Sequence, residues 1–199
     1  MSAQFGSVWR CGGRTVTRIV GGRWSGRQLL VPHGSHTRPT GEKVRAALGN
    51  ALTSGGALAG ASVLDLFSGS GALGLELLSR GAAAVVLVDN DRAALAALRA
   101  NVTALGATEA QIVPGPAAAY PTHPGPRFDV VVADPPYDLA NDELATVLAG
   151  LVAHARLAPG ADIVLERSRR TADLAWPEPL VARRTKRYGD TVLLFGRAP

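Results

Sequence analysis

The sequence is poor in cysteine, since Cys11 is the only one among 199 residues. A single cysteine excludes an internal disulfide framework and every zinc site that needs several thiolate ligands. Long apolar runs are also missing, because glycines, Asn50 and Ser54 interrupt the longest uncharged stretch, residues 46–64. We therefore expect no membrane-spanning helix. The N-terminus has no apolar segment of the kind found in signal peptides, so the predicted location is the cytoplasm.

Negative charge is scarce in the first 60 residues, and the net charge of the whole chain is +5. Residues 1–60 carry eight basic residues and one acid (+7), residues 61–160 carry five and ten (−5), and residues 161–199 carry eight and five (+3). This pattern predicts a neutral or cationic small ligand in the middle and a polyanion bound by the flanks. Ordinary surface charge is the alternative explanation.

From residue 61 the sequence alternates between strand-like and helix-like segments. Apolar strands are predicted at 62–66, 84–88, 111–113, 128–133 and 162–165, with helices at 72–79, 92–105 and 142–155. Such alternation predicts an α/β fold with a Rossmann-like, mostly parallel sheet covered on both faces. Segments 180–184 and 191–195 add an antiparallel C-terminal hairpin.

The segment before residue 61 has a different character. Two short apolar runs, 17–20 and 28–31, flank a glycine-rich connection and predict a small β-hairpin. A helix is expected over 41–52, with Thr40 as its N-cap. Residues 1–16 show no packing pattern and are expected to be a disordered tail. The predicted organisation is a tail (1–16), a hairpin and helix extension (17–57) and a Rossmann-like domain (58–199).

A glycine loop follows the first strand of this domain. Gly69, Gly71 and Gly74 satisfy G-x-G-x-x-G between a strand and a helix, which lets a ligand approach the backbone closely. Asp89 ends the next strand, twenty residues after Gly69, where an acid can bind ribose hydroxyls. Asp65 precedes the glycines and can face a ligand's ammonium group. NAD enzymes share this loop, and simple chain reversal would also use its glycines.

A second motif, Asp134-Pro135-Pro136-Tyr137, follows the strand at 128–133. The prolines fix the backbone, so the Asp134 carboxylate and the Pro135 carbonyl become rigid acceptors. Together with the flat face of Tyr137, they suit a flipped base that carries an exocyclic amino group. Taken alone, the motif is equally consistent with a rigid end to the strand.

These motifs together resemble those of class I methyltransferases, and the flanks resemble the RsmD family over roughly residues 17–197. Thr17 to Gly22, Arg38-Pro39-Thr40, Leu64 to Gly81 and Tyr188-Gly189-Asp190 carry the likeness. The resemblance implies a 16S (small-subunit) rRNA guanine-N2 methyltransferase that uses S-adenosyl-L-methionine (AdoMet) and no metal. It implies that residues 58–199 bind AdoMet and that residues 17–57 bind RNA.

The resemblance also implies the roles of individual residues. Asp134, Pro135 and Tyr137 would be catalytic, and the AdoMet-binding residues would be Asp65, Gly69, Ser70, Gly71, Asp89 and Asn90. The chain departs from the family at Gly49, where an aromatic residue is usual, and at Pro116, where an acid is common. Backbone near Ala117 is therefore expected to hold the adenine.

The partner implied by the resemblance is small-subunit rRNA within an assembled ribosomal particle, bound by a monomer without a membrane. Basic residues at both ends of the chain fit phosphate binding. The predicted RNA contacts are Arg18, Arg23, Arg27, Arg38, Lys43, Arg45, Lys186 and Arg187.

Three other functions remain open at this point. An adenine-N6 nucleic-acid methyltransferase would use the same Asp134 motif, although 199 residues leave little room for a separate target-recognition domain. A small NAD-dependent oxidoreductase would explain the glycine loop but neither the Asp134 motif nor the basic ends. A non-catalytic RNA-binding assembly factor would tolerate the loss of AdoMet binding.

Overall fold

The computed structural model describes residues 9–11, 14–32, 41–170 and 174–199, with only the backbone for 9–15. Its smaller sheet is antiparallel and lies near the N-terminus. The three strands of this sheet are β1 (Trp9–Cys11), β2 (Arg14–Arg18) and β3 (Gln28–Leu30). Trp9 to Cys11 pair with Val16 to Arg14, so strand structure begins inside the segment 1–16, which was expected to be a disordered tail. For these described residues the expectation was wrong.

The larger sheet has seven strands in the order β6-β5-β4-β7-β8-β10-β9. Strands β4 to β8 are mutually parallel, and β9 and β10 are antiparallel additions, which confirms the predicted fold class. We call the side where β4 to β8 end the carboxyl edge and the side where they begin the amino edge. The strands are β4 (Ser62–Leu66), β5 (Ala84–Asp89), β6 (Ala110–Pro114), β7 (Phe128–Ala133), β8 (Leu157–Ser168), β9 (Val181–Tyr188) and β10 (Thr191–Arg197).

Helices cover both faces of the large sheet. One face packs against α1 (Glu42–Ser54), α2 (Ala72–Ser79), α3 (Arg92–Leu105) and the N-terminal hairpin. The other packs against α4 (Asn141–Ala153) and a short 3-10 helix (Ala117–Thr122), which lies where the sequence predicts neither a helix nor a strand. All eight residues of α2 are buried, because the N-terminal segment covers its outer side. In the described ranges, no helix is long and apolar enough to cross a membrane.

The N-terminal segment is attached to α2 by a buried carboxylate. Glu76 is fully buried and accepts hydrogen bonds from the backbone N–H groups of Val20 (2.7 Å) and Gly21 (2.9 Å) and from Arg80 Nε (2.6 Å). At Gly22, which has φ +82°, a Cβ would lie only 2.0 Å from the Ser79 carbonyl oxygen. The chain therefore approaches α2 too closely here for any side chain.

Gly49, the position where the family usually has an aromatic residue, lies on the inner side of α1. A Cβ there would lie 2.6 Å from Arg80 Nε. Arg80 uses this space to donate to the Asn50 side chain at 2.8 Å as well as to Glu76. The helix itself begins at Glu42 after Gly41, and the predicted cap, Thr40, lies outside the described residues.

Candidate active site

The glycine loop turns the chain from β4 into α2 at the carboxyl edge. Gly69 (φ +55°) and Gly71 (φ +78°) adopt left-handed backbone conformations, which cost glycine little. Gly71 is the N-cap of α2, and its N–H donates to the Ser68 carbonyl at 2.7 Å. A Cβ at Gly69 would meet no atom within 4 Å, so the loop leaves open space there for a ligand.

Asp65 lies beneath this loop and is 1% exposed. Its Oδ2 accepts a hydrogen bond from the Gly74 N–H at 2.8 Å, and a Cβ at Gly74 would lie within 2.8 Å of the same oxygen. Burial raises the pKa of the Asp65 carboxyl well above its usual range, against the lowering effect of the Gly74 N–H. The charges of Asp134 and Asp89 raise this pKa further, so three predicted site carboxylates act on one another here.

Asp89, at the end of β5, binds the glycine loop directly. Its Oδ2 accepts from the Gly69 N–H at 2.7 Å, and its Oδ1 accepts from the Asp91 N–H at 2.8 Å. The half-buried carboxylate thus ties the loop to the next strand, and carboxylate oxygens can accept more than one hydrogen bond. Asn90 is exposed beside it.

Ser70 is buried in the loop, and its carbonyl is held by a residue that the sequence did not single out. Asn101 on α3 donates to the Ser70 oxygen at 2.8 Å, and its amide also pairs with Leu30 N (2.8 Å) and Leu30 O (2.9 Å). One buried amide therefore connects the glycine loop to β3. Its only sequence signal is a polar residue on the buried face of a helix.

The Asp134 motif leaves the carboxyl edge directly after β7. Asp134 is partly buried, Pro135 is buried, and the Tyr137 side chain is 53% exposed. β7 lies next to β4, with Leu66 beside Ala133, so the motif and the glycine loop leave neighbouring strands at the same edge. This edge is where parallel α/β sheets bind ligands.

Arg167, on β8, is a second residue that the sequence analysis missed. It is 5% exposed and donates from Nη2 to the Leu139 carbonyl at 2.7 Å, which holds the segment after Tyr137. Burial lowers the pKa of Arg167, and the charge of Asp134 opposes that effect. The charge of the predicted catalytic carboxylate thus acts on a buried guanidinium, a relation that no local sequence pattern reveals.

A cavity of about 230 Å³ lies beside the Asp134 motif. Two tyrosines, Tyr137 and Tyr188, line it together with Glu166 of β8. The N-cap of α1 and the β9–β10 turn complete the wall, through Gly41, Gly189, Asp190 and Thr191.

Two of the predicted RNA-binding arginines lie at the amino edge, away from this cavity. We call Arg23 and Arg27 the turn arginines. Arg23 donates to Glu109, just before β6 begins, at 2.8 Å and stacks 4.1 Å from the Trp24 ring centroid. Arg27 donates to the Ala104 carbonyl near the end of α3 at 2.8 Å. Both remain exposed.

The other N-terminal basic residues have differing positions. Arg18 is exposed and forms an ion pair with Glu42 at 3.1 Å, and Lys43 is exposed on the first turn of α1. Arg45 is fully buried and donates to Thr17 Oγ1 (3.0 Å) and the Arg18 carbonyl (2.7 Å). Its predicted place on an RNA-binding surface is therefore corrected to one in the core. Arg38 lies outside the described residues.

Lys186 and Arg187 lie at the carboxyl edge, near the end of β9. Because Tyr188 pairs with Thr191 and Thr191 pairs with Ser168, the β9–β10 turn sits beside the end of β8. Arg169 and Arg170 follow β8 directly and are exposed, and Arg169 N donates to Asp190 O at 2.7 Å. We call Arg169, Arg170, Lys186 and Arg187 the hairpin basic group.

Among the described residues, no three His, Cys, Asp or Glu side chains are grouped as metal ligands. The arrangement consists of a glycine loop, buried and half-buried carboxylates and a rigid Asp-Pro-Pro-Tyr segment. These lie on one edge of a seven-stranded sheet with an antiparallel end. This fold and this site define a class I methyltransferase.

Comparison with known proteins identifies the family to which the chain belongs. Residues 17–197 match the family model described as Conserved hypothetical protein 95. The chain therefore belongs to that family, the RsmD family. It is 42% identical over 120 residues to Ribosomal RNA small subunit methyltransferase D of Escherichia coli, a match that spans 60% of each chain.

Solved structures of other proteins superimpose on this fold. The protein yhhF of Escherichia coli superimposes with a TM-score of 0.80 and 34% identity, covering 92% of this chain and 98% of that one. Magnesium protoporphyrin IX methyltransferase from Synechocystis, solved with bound SAM, gives a TM-score of 0.62 at 17% identity, covering 79% of each chain. The second likeness concerns the fold alone.

Proposed function

We propose that this protein is an AdoMet-dependent methyltransferase that modifies the exocyclic N2 of one guanine in small-subunit rRNA. The observation that carries the proposal is the position of Asp134. Its carboxylate follows β7 on the carboxyl edge, one strand away from the glycine loop, and its charge acts on Asp65. The name of the Escherichia coli relative supports an rRNA substrate.

The glycine loop fits AdoMet. Open space above Gly69 leaves room for the ligand, and the backbone there takes conformations that side chains disfavour. Asp89 would accept hydrogen bonds from the ribose hydroxyls, and Asp65, with Gly69, Ser70 and Gly71, would hold the methionine end. Asn90 is exposed next to Asp89 at the same edge. When bound, AdoMet supplies an electrophilic methyl group on a sulfonium sulfur.

The Asp134 segment would act on the acceptor base. The Asp134 carboxylate and the Pro135 carbonyl accept hydrogen bonds from the exocyclic amino group, which localises the nitrogen lone pair and orients it. Tyr137 provides an exposed ring on which the base stacks. Arg167 positions this segment through Leu139. After methyl transfer the nitrogen loses one proton, which Asp134 or solvent accepts.

The RNA backbone would be held on the carboxyl edge. The hairpin basic group and Lys43 lie next to elements that line the cavity, and their charge suits phosphate contacts. Arg18 and the turn arginines would extend this surface. The expected substrate is rRNA within an assembled particle in the cytoplasm, bound by a monomer.

The direct test compares modified nucleosides in rRNA from cells with and without this protein. We expect one N2-methylguanosine in small-subunit rRNA to disappear without the protein and to return when purified protein and AdoMet are added to the unmodified particle. Loss of an N6-methyladenosine instead would favour the adenine enzyme. Unchanged rRNA in both strains would overturn the proposal.

A further inference from the structure

Two acidic residues, Asp134 and Glu166, lie one residue beyond the last paired positions of the neighbouring strands β7 and β8 at the carboxyl edge. In their parallel register, Val132 pairs with Val164 and Ala133 with Leu165, so Asp134 and Glu166 occupy the next position. Val132 and Val164 pack into the same core cluster, on the face that α1 covers. Because side chains alternate along strands about 4.8 Å apart, the register places Asp134 and Glu166 on that same face.

Glu166 lines the cavity together with Tyr137 and Tyr188. The residue is 6% exposed. The volume of about 230 Å³ is roughly eight times the ~30 Å³ share of one water molecule, which is room for a flat bicyclic base. Tyr137 and Tyr188 offer aromatic faces for such a base.

We infer that Glu166 determines base specificity: it accepts the N1–H of the target guanine while Asp134 accepts from the N2 amino group, and Tyr188 forms the wall opposite Tyr137. This inference rests on the proposed function, since it concerns the base that enters the proposed site. Flipped bases are read by hydrogen bonds to this edge and by aromatic stacking.

Hydrogen-bond chemistry explains why two carboxylates select guanine. Guanine presents the N1–H and the N2 amino group as adjacent donors, so each carboxylate receives a hydrogen bond. Adenine presents its amino group beside N1, which is an acceptor. A carboxylate at the Glu166 position would face that lone pair, and a buried acceptor without its donor is unfavourable.

Glu166 has a second neighbour that suggests a competing role. The charges of Glu76, Glu42 and Glu166, in that order, act on the buried Arg45 and oppose the effect of burial on its pKa. If Glu166 served only as a counter-ion of Arg45, its substitution would change stability and would change the rates on all bases by the same factor. The deciding measurement is therefore a ratio of rates on two bases.

The experiment uses unmodified small-subunit particles with either guanine or 2-aminopurine at the mapped position. 2-Aminopurine keeps the 2-amino group but has an acceptor at N1. We expect the wild type to prefer guanine by at least about a hundredfold in kcat/KM, because a site built for a donor rejects an analogue that lacks it. Glu166→Gln should lose at least about tenfold on guanine and gain on 2-aminopurine, because its amide can donate to N1.

Asp162→Asn is the matched control. Asp162 lies four residues earlier on β8, at the amino edge. This variant should keep the wild-type preference. Melting temperature and AdoMet affinity are measured for every variant. If Glu166→Gln does not fold, Glu166→Asp keeps the charge beside Arg45 while withdrawing the carboxylate, and it should lose at least about tenfold on guanine alone.

Tyr188 supplies a second readout. Tyr188→Ala should raise KM for the particle with little change in AdoMet affinity, because it removes an aromatic face on which the base stacks. An equal loss on both bases in Glu166→Gln, or an unchanged ratio, would overturn the inference while leaving the proposed function intact. Failure of the wild type to methylate guanine N2 would overturn the proposed function itself.

Discussion

The turn arginines and the hairpin basic group are both positively charged but lie at opposite edges of the large sheet. The turn arginines lie at the amino edge, where they bind Glu109 and the end of α3. The hairpin basic group lies at the carboxyl edge, beside the cavity and the end of β8. In the sequence the turn arginines and the pair Lys186 and Arg187 are both basic residues within predicted hairpins. Strand direction, rather than local charge density, therefore decides which basic residues can contact a substrate bound at the carboxyl edge.

The largest expected effect is on the rate of methyl transfer, and it separates two aspartates at opposite ends of β7. Asp134→Ala should lower methyl transfer by a hundred- to thousandfold, about 2.7–4 kcal/mol, by analogy with removing one donor from an oxyanion hole. Asp129→Ala is the control, because Asp129 starts β7 at the amino edge and accepts from Ser62 N at 2.8 Å. Tritiated methyl transfer to unmodified particles measures both. Asp134→Ala at more than about a tenth of the wild-type rate would have lost less than 1.4 kcal/mol, which would contradict the catalytic assignment.

Substituting either of two aspartates at the carboxyl edge, Asp89 or Asp91, should have different effects on the affinity of the protein for AdoMet. Asp89→Ala should weaken binding by about 1.5–3 kcal/mol, because it removes a charged acceptor and the support of Gly69 N. Asp91→Ala should cost about 1 kcal/mol of stability and leave affinity unchanged, since Asp91 caps α3 through Ala94 N at 2.7 Å. Calorimetric titration and thermal melting separate the effects. If the two variants bind AdoMet with equal affinity, the assignment of Asp89 to the AdoMet site is wrong.

The basic residues of the two edges can be compared by double charge reversal. Lys186→Glu with Arg187→Glu should weaken RNA binding about tenfold or more and flatten its dependence on log salt by about 0.7–0.9 per lost phosphate contact. Arg23→Glu with Arg27→Glu should have a smaller effect at the amino edge. Filter binding at several salt concentrations, with AdoMet affinity as the control, measures both. A larger loss of RNA affinity in the Arg23 and Arg27 variant would show that the amino edge, rather than the carboxyl edge, is the main RNA-binding surface.

The smallest expected effect is the pH dependence caused by Asp65. Burial raises the pKa of this carboxyl in the folded state above its unfolded value, so the folded protein binds the proton more tightly. Stability should therefore fall as pH rises above about 4, until the folded-state pKa is passed. Asp65→Asn should flatten this fall. Urea unfolding of the ligand-free protein across that range measures it, and an unchanged slope would contradict the assignment.

The central strands and helices were predictable from the sequence. Segments 62–66, 72–79, 92–105 and 128–133 were predicted with the bounds that the structure has, because continuous apolar runs end at glycines or at the Asp134 motif. The small hairpin of β2 and β3 was also predicted, but strand β1 was not, because the pairing of Trp9 with Val16 has no local apolar pattern. The 3-10 helix at Ala117–Thr122 was missed because prolines flank and interrupt it.

The candidate site was predictable only where a motif follows a strand. Asp65, Asp89 and Asp134 follow apolar runs, and the parallel topology brings such positions to one edge. Arg167 and Asn101 act across elements, through Leu139 and Ser70, so their roles depend on tertiary neighbours. The burial of Arg45 is likewise a tertiary property, because its partners, Thr17 and Arg18, lie on β2.

The contact between Glu76 and the N-terminal segment has a consequence for synthesis on the ribosome. Val20 and Gly21 leave the ribosome 56 and 55 residues ahead of the carboxylate that binds their amides. At about 5–20 residues per second, translation must continue for roughly 3–11 s before this partner exists. Until then the apolar Ile19 has no α2 to pack against. Val20 and Gly21 therefore cannot reach their final positions until α2 has been synthesised.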